Sequence, residues 1–165
     1  MVTDIGGLDH AKEEIFEGVI IPMQHPEIFE AESTSLLSPP RGVLLHGPPG
    51  TGKTMMAQAI AKECNCTFIN IRMSTVMSMW SGEAQKLISA LFSLAELLKP
   101  SIIFIDEIDT FLRNRDATMY KSETMESMKT EFFQCWDGML SSKATQIVVI
   151  GATNRPQDVD AAAVR

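Results

Sequence analysis

Apolar residues gather in four short runs, Gly42–His46, Thr67–Ile71, Ser101–Asp106 and Gln146–Ala152, with helical spacing between them from Lys53, from Glu83 and around Glu123–Trp136. Runs of that length, rich in Val, Ile and Phe, predict strands, and their alternation with helices predicts βαβ units on a parallel sheet. In the second helix Leu87, Leu91, Leu94 and Leu98 recur at i, i+4, i+7 and i+11. In the third, Met125, Met128, Phe132 and Trp136 recur at i, i+3, i+7 and i+11. Each helix is thereby expected to bury one face. The methionines fit core filling, because an unbranched thioether suits irregular gaps.

The segment before the first strand reads differently. Pro22, Pro26, Pro39 and Pro40 break helical patterns and suggest an extended wrap around a helix at Ile15–Ile21. Residues 1–40 are accordingly read as an arm and residues 41–165 as the domain proper. Ala161–Arg165 run out with no closing element, so the domain is expected to be cut there.

With 165 residues, 45% of them hydrophobic and 21% charged, the chain has enough material for one domain with its own core. Cys64 and Cys66 are too close for an easy bridge and Cys135 stands alone, so no disulfide framework or zinc spacing is present and a reducing compartment is expected. The net charge of −7 argues against a general nucleic-acid surface, which clustered Lys and Arg would have to provide. The longest apolar stretches fall far short of the ~20 residues that a membrane-spanning helix needs.

The sequence Gly47-Pro48-Pro49-Gly50-Thr51-Gly52-Lys53-Thr54 matches G-x-x-x-x-G-K-T, directly after a predicted strand and directly before a predicted helix. That is the context of a phosphate-binding loop for a nucleotide such as ATP. The glycines let successive backbone N–H groups turn inward around a β-phosphate, the helix N-terminus adds partial positive charge, and Lys53 reaches the β- and γ-phosphates. Thr54 offers a hydroxyl to Mg²⁺. The competing reading is a Gly-Pro turn that merely joins strand to helix.

The run Ser101-Ile102-Ile103-Phe104-Ile105 is a buried strand ending in Asp106-Glu107, and a strand end is where an α/β sheet places ligand chemistry. Asp106 would hold the Mg²⁺ hydration shell and Glu107 would polarise the attacking water. Alternatively Asp106, Glu107 and Asp109 cap the next helix, and Asp109 fits that role best. The last strand leads to Asn154, whose amide can hold a water while sensing the γ-phosphate. Before Arg155-Pro156 it is also an ordinary turn residue.

Taken in order, these residues resemble the AAA ATPases along essentially the whole chain. Asp4-Ile5-Gly6-Gly7-Leu8 resembles the family's opening turn, GPPGTGKT its Walker A, IIFIDEID its Walker B and Gly151-Ala152-Thr153-Asn154-Arg155-Pro156 its sensor-1 segment. Phe68-Ile69-Asn70, Phe92-Ser93-Leu94-Ala95, Phe111-Leu112-Arg113-Asn114-Arg115 and Trp136-Asp137-Gly138 look most like the Msp-type ATPases of the outer mitochondrial membrane.

The resemblance implies a three-layer P-loop fold with strand order 5-1-4-3-2, here without the last strand and the helical lid. It implies adenine contacts from Ile5 and Gly6. It also implies a homo-hexameric ring that pulls polypeptide through a pore, with tail-anchored membrane proteins as substrates and a cytosol-facing location on the outer mitochondrial or peroxisomal membrane. Membrane attachment would come from a segment outside these residues. Three departures stand out. Met79-Trp80-Ser81 carries one aromatic where Msp-like pore loops show two, leaving Trp80 to grip substrate; the arginine-finger segment stops at Arg165; and loss of the final strand would bare one edge of the P-loop strand. Alternatives are a microtubule-severing or coat-disassembling ATPase, and a nucleotide-binding module without useful turnover.

Overall fold

Strands that are apolar along their whole length need cover on both faces, and here each face receives helices. The structure, a computed structural model, describes residues 6–27, 42–78, 81–112, 123–140 and 146–159. In chain order the elements are α1 (Asp9–Ile15), a π-helical stretch (Phe16–Ile20), α2 (Ile21–Gln24), β1 (Gly42–His46), α3 (Lys53–Glu63) and β2 (Thr67–Arg72). There follow α4 (Met73–Met77), α5 (Ser81–Leu97), β3 (Ser101–Asp106), α6 (Ile108–Phe111), α7 (Glu123–Leu140), β4 (Ile147–Thr153) and a 3₁₀ turn (Pro156–Asp158).

The four described strands form one parallel sheet in the order β1-β4-β3-β2, in agreement with the expected family order for those strands. Register sets Leu44 opposite Gly151, Val149 opposite Ile103 and Asp106 opposite Arg72. The inner strands are buried almost throughout, whereas β1 is exposed at Gly42 and His46 and half-buried between them. Alternation along β3 sends Ile103 and Ile105 to one face and Ile102 and Phe104 to the other. On the first face they meet α5, α6 and α7; on the second, with Val148 and Ile150 of β4, they meet Ile15, Val19, Ile20 and Met23 of the N-terminal helix and Met56, Ala57 and Ile60 of α3. All three cysteines are free.

The α7 face is the expected one. Phe132 is fully buried and packs edge-on against Phe92, Phe111 and Trp136, each with ring centres 5.4 Å away. Removing that ring would cost about 3–5 kcal/mol. The α5 face differs from the leucine stripe. Leu94 and Leu98 are 44% and 40% exposed, and the buried ridge is Ala84, Ile88, Leu91, Phe92 and Ala95. Two alanines let the helix lie close to the sheet, which turns Leu94 and Leu98 onto its flank; Leu91 belongs to both stripes, and Leu87, half-buried, packs against the same core.

Pro22 does not end the N-terminal helix as expected, since helical backbone continues from Asp9 to Gln24. Proline has no N–H to give the preceding turn. The turn before it widens, with the Ile21 N–H reaching back five residues to the Phe16 carbonyl, and the chain passes Pro22 with that residue and Met23 buried. Pro39 and Pro40 lie outside the described residues, as does Arg165. Among the described residues no helix is long and apolar enough to cross a membrane.

Candidate functional site

In a parallel sheet every strand ends on the same edge, so β1, β4 and β3 deliver His46, Thr153 and Asp106 to one rim. The loop after β1 turns through three glycines with positive φ, Gly47 (150°), Gly50 (80°) and Gly52 (87°). A side chain at Gly50 would meet nothing within 4 Å, so that glycine serves backbone conformation rather than space. The Thr51 hydroxyl donates to the Pro48 carbonyl at 2.8 Å, and the Gly47 N–H donates to the Thr153 carbonyl at 3.3 Å, tying the loop to β4. Gly52 is the N-cap of the 11-residue α3 and carries no side-chain cap. The first N–H groups of α3 therefore keep their capacity for an anion.

Lys53 Nζ donates to the carbonyls of Gly47 (2.8 Å) and Pro48 (2.9 Å) and to Asn154 Oδ1 (2.8 Å). The last bond joins residues 101 positions apart and brings the phosphate-loop lysine and the residue after β4 together. Asn154 thus does more than turn the chain.

On the other side of β4, Asp106 and Glu107 are half-buried at the end of β3. Asp106 Oδ1 accepts the Glu107 N–H at 3.0 Å, and the Glu107 carbonyl accepts both the N–H (3.0 Å) and the hydroxyl (2.7 Å) of Thr110. Glu107 occupies the left-handed region, φ 56° and ψ 41°, and makes no side-chain cap to α6 although it stands at the N-cap. The helix-capping reading of Glu107 fails on that geometry. Asp109 is not simply a cap either, because its Oδ1 accepts the Thr153 hydroxyl at 2.6 Å. Thr153 is the residue that sequence reasoning missed. Its signal was a hydroxyl at the end of a seven-residue strand that is otherwise apolar, 1% exposed and so obliged to find a partner.

A cavity of about 470 Å³ opens between α1 and the phosphate loop, lined among others by Leu8, Ile15, Val19, Val43, Gly47 and Met56. Its size and apolar walls suit a ring system beside the phosphate cradle. Gly6 and Pro49 are exposed; Ile5 and the pore-loop Trp80 lie outside the described residues. Thr54, half-buried in the first turn of α3, and Asp106 offer a hydroxyl and a carboxylate at the same sheet edge. Among the described residues no three His, Cys, Asp or Glu side chains gather into a metal site of their own. A hydroxyl and one carboxylate fit Mg²⁺, which takes few protein ligands and completes its octahedron with phosphate oxygens and water.

Comparison with known proteins agrees with this geometry. Residues 43–165 match the family model described as ATPase family associated with various cellular activities (AAA). The chain is 51% identical over 163 residues to the outer mitochondrial transmembrane helix translocase of Homo sapiens, covering 99% of this chain and 44% of that protein. It is 50% identical over 163 residues to the mitochondrial sorting homolog of Caenorhabditis elegans, covering 98% of this chain and 46% of that protein. The chain thus spans somewhat less than half the length of these relatives. Among solved structures, the FIGL-1 AAA domain superposes with a TM-score of 0.83 at 45% identity, over 98% of this chain and 50% of that one. Its complex with ADP gives 0.82 at 46%, over 97% of this chain and 50% of that one. A glycine-rich loop whose lysine is bonded to Asn154 at the end of β4 in a β1-β4-β3-β2 sheet, together with a sequence match along nearly the whole chain, places this chain in the AAA family of ATPases.

Proposed function

We propose that the chain binds Mg-ATP at the carboxyl edge of the sheet and hydrolyses it, and that this turnover drives the extraction of membrane-inserted, tail-anchored proteins. In this reading Gly47 to Thr54 cradle the phosphates, Lys53 bonds the β- and γ-phosphates, Thr54 and Asp106 hold Mg²⁺, Glu107 takes the proton of the attacking water and Asn154 orients that water. Mg²⁺ supplies neutralisation of the charge that develops on the phosphoryl oxygens. The adenine would sit against Ile5, Gly6 and the apolar cavity behind Leu8. The observation that carries the ATPase reading is the Lys53–Asn154 bond, because it sets the groups for binding and for hydrolysis within one hydrogen bond of each other.

Extraction is the activity to which the names of the relatives point. Those named as outer mitochondrial transmembrane helix translocases share 51% of residues over nearly the whole of this chain. A homo-hexameric ring, Trp80 as the gripping residue of its pore, a location facing the cytosol on the outer mitochondrial or peroxisomal membrane, and residues 1–40 as the arm of a large subdomain at residues 41–165 belong to the same proposal.

The test is release of a tail-anchored substrate from liposomes of outer-mitochondrial lipid composition. ATP-dependent release that disappears in Glu107→Gln supports the reading. Steady ATP turnover with no release of several such substrates would leave an ATPase of another purpose.

A further inference from the structure

Asn154 points at Lys53 because the residues on both sides of it are held by one hydroxyl. Thr153 Oγ1 accepts the Arg155 N–H at 2.9 Å, which bends the chain around Asn154, and the Thr153 carbonyl is bonded to the Gly47 N–H. A hydroxyl has one proton to give, and here it goes to Asp109 Oδ1 at 2.6 Å. With its proton committed to the carboxylate, the oxygen turns a lone pair toward Arg155. Thr153 is 1% exposed, so bulk water does not stand ready to replace the carboxylate. Asp109 itself lies two residues after Glu107, in the short helix α6 that follows the acidic turn. One bond therefore ties the element carrying Asp106 and Glu107 to the strand end carrying Asn154, across 44 residues of sequence.

Gly151 contributes to the same junction. A Cβ there would fall 2.8 Å from Ile108 Cδ1 and 3.3 Å from its Cγ2, so a side chain at this position would have to displace that of Ile108, the neighbour of Asp109.

We propose that Asp109 is a positioning residue for hydrolysis, acting through the Thr153 hydroxyl to hold Asn154 in line with Lys53 and in fixed relation to Glu107. The proposal rests on the ATPase reading given above. Asp109 touches neither nucleotide nor water in this scheme; it sets where the group that does so can stand. Small displacements of such a group are costly, and loss of an outer hydrogen bond of this kind lowers activity by roughly 10- to 100-fold.

The experiment compares Thr153→Val, which keeps the shape and removes the hydroxyl, with Asp109→Ala and Asp109→Asn, reading kcat, ATP affinity and Tm for each. Expected are kcat values about 10- to 100-fold down in Thr153→Val and Asp109→Ala with ATP affinity within about threefold of the parent. Asp109→Asn, which retains an acceptor oxygen, should recover most of the loss. The Asp109→Ala, Thr153→Val double variant should be no slower than the slower single, because Asp109 acts only through the hydroxyl that Thr153→Val already removes.

Additive losses, ATP affinity falling in step with kcat, or rates within about twofold of the parent in both single variants would overturn the proposal. If Thr153→Val does not fold, equal rates for Asp109→Ala and Asp109→Asn overturn it alone. A parent that binds ATP and never turns it over overturns the ATPase reading, and the proposal with it; a competent parent with unaffected variants overturns the proposal only.

Discussion

The two turns that flank β4 solve one geometric problem in opposite ways. The loop after β1 needs left-handed backbone at several places and meets the need with glycine, at φ 80° for Gly50 and 87° for Gly52. The turn after β3 needs it once, at φ 56°, and keeps glutamate there. An ordinary L-residue in that region costs about 1–2 kcal/mol, because Cβ crowds the following carbonyl. In the proposed mechanism the loop after β1 works through backbone N–H groups, so losing side chains costs it nothing in chemistry. In that mechanism the acidic turn works through a carboxylate, and the strain is the consequence of keeping one.

If that contrast is right, altering the side chain at Glu107 should be felt first in the chemistry. Glu107→Gln preserves shape and backbone but cannot accept the water's proton, so kcat should fall by about 10³-fold, roughly 4 kcal/mol, while ATP stays bound. Single-turnover hydrolysis and equilibrium ATP binding on the same protein separate the two steps, and near-parental turnover would remove Glu107 from the role. Next in size is Lys53→Ala, on the other turn. Its ammonium is the side-chain cation aimed at the loop, and its removal should weaken ATP binding at least about tenfold, roughly 1.4 kcal/mol. Unchanged affinity by calorimetry would contradict the loop's assignment as the phosphate cradle.

The glycine half of the comparison can be tested without touching any charge. Gly50→Ala adds a methyl that meets no atom within 4 Å, so any loss is conformational. A cost of about 1 kcal/mol in chemical denaturation is expected, since Ala at positive φ is strained by more than its unfolded chain gains in rigidity. No change in stability would mean that the loop relaxes freely and that its glycines are there for something else.

What could be read from the sequence follows the same division. β3 and β4 were legible because a buried parallel strand is apolar without interruption, and β1 and β2 because short β-rich runs alternate with helical patterns. The strand-loop-helix setting of Gly47 to Thr54 was legible because its glycines, lysine and threonine are adjacent in the chain. The inward ridge of α5 was misread: Leu94 and Leu98 looked like core, while Ala84 and Ala95 are small enough to escape notice and are wholly buried. The widened turn before Pro22 was invisible because a proline shows only that a hydrogen bond is missing, not whether the helix ends or stretches past it. The Asp109–Thr153 bond could not be seen at all, since it depends on β4 lying beside β3. Residues 44 apart acquire a relation only once the sheet order is known.

The smallest effect expected is also the one that separates strain from chemistry most cleanly, and it comes from Glu107→Gly measured against Glu107→Ala. Both variants remove the carboxylate and should abolish turnover alike. Only glycine relieves the left-handed backbone at φ 56°. Relief of about 1–2 kcal/mol is partly offset by the extra freedom glycine has in the unfolded chain, about 0.5–1 kcal/mol, so a net gain of about 0.5–1 kcal/mol over the parent remains. Alanine keeps the strain, and with Asp106 Oδ1 still accepting the N–H of residue 107 in both variants, the local hydrogen bonding does not differ between them. Chemical denaturation of the three proteins at one pH reads the difference directly. A more stable but inactive Glu107→Gly, with Glu107→Ala no more stable than the parent, would show that the enzyme tolerates a strained residue to keep its base in place. Equal stabilities for glycine and alanine would mean that the turn relaxes around whatever residue stands there, and the contrast between the two turns would reduce to side-chain chemistry alone.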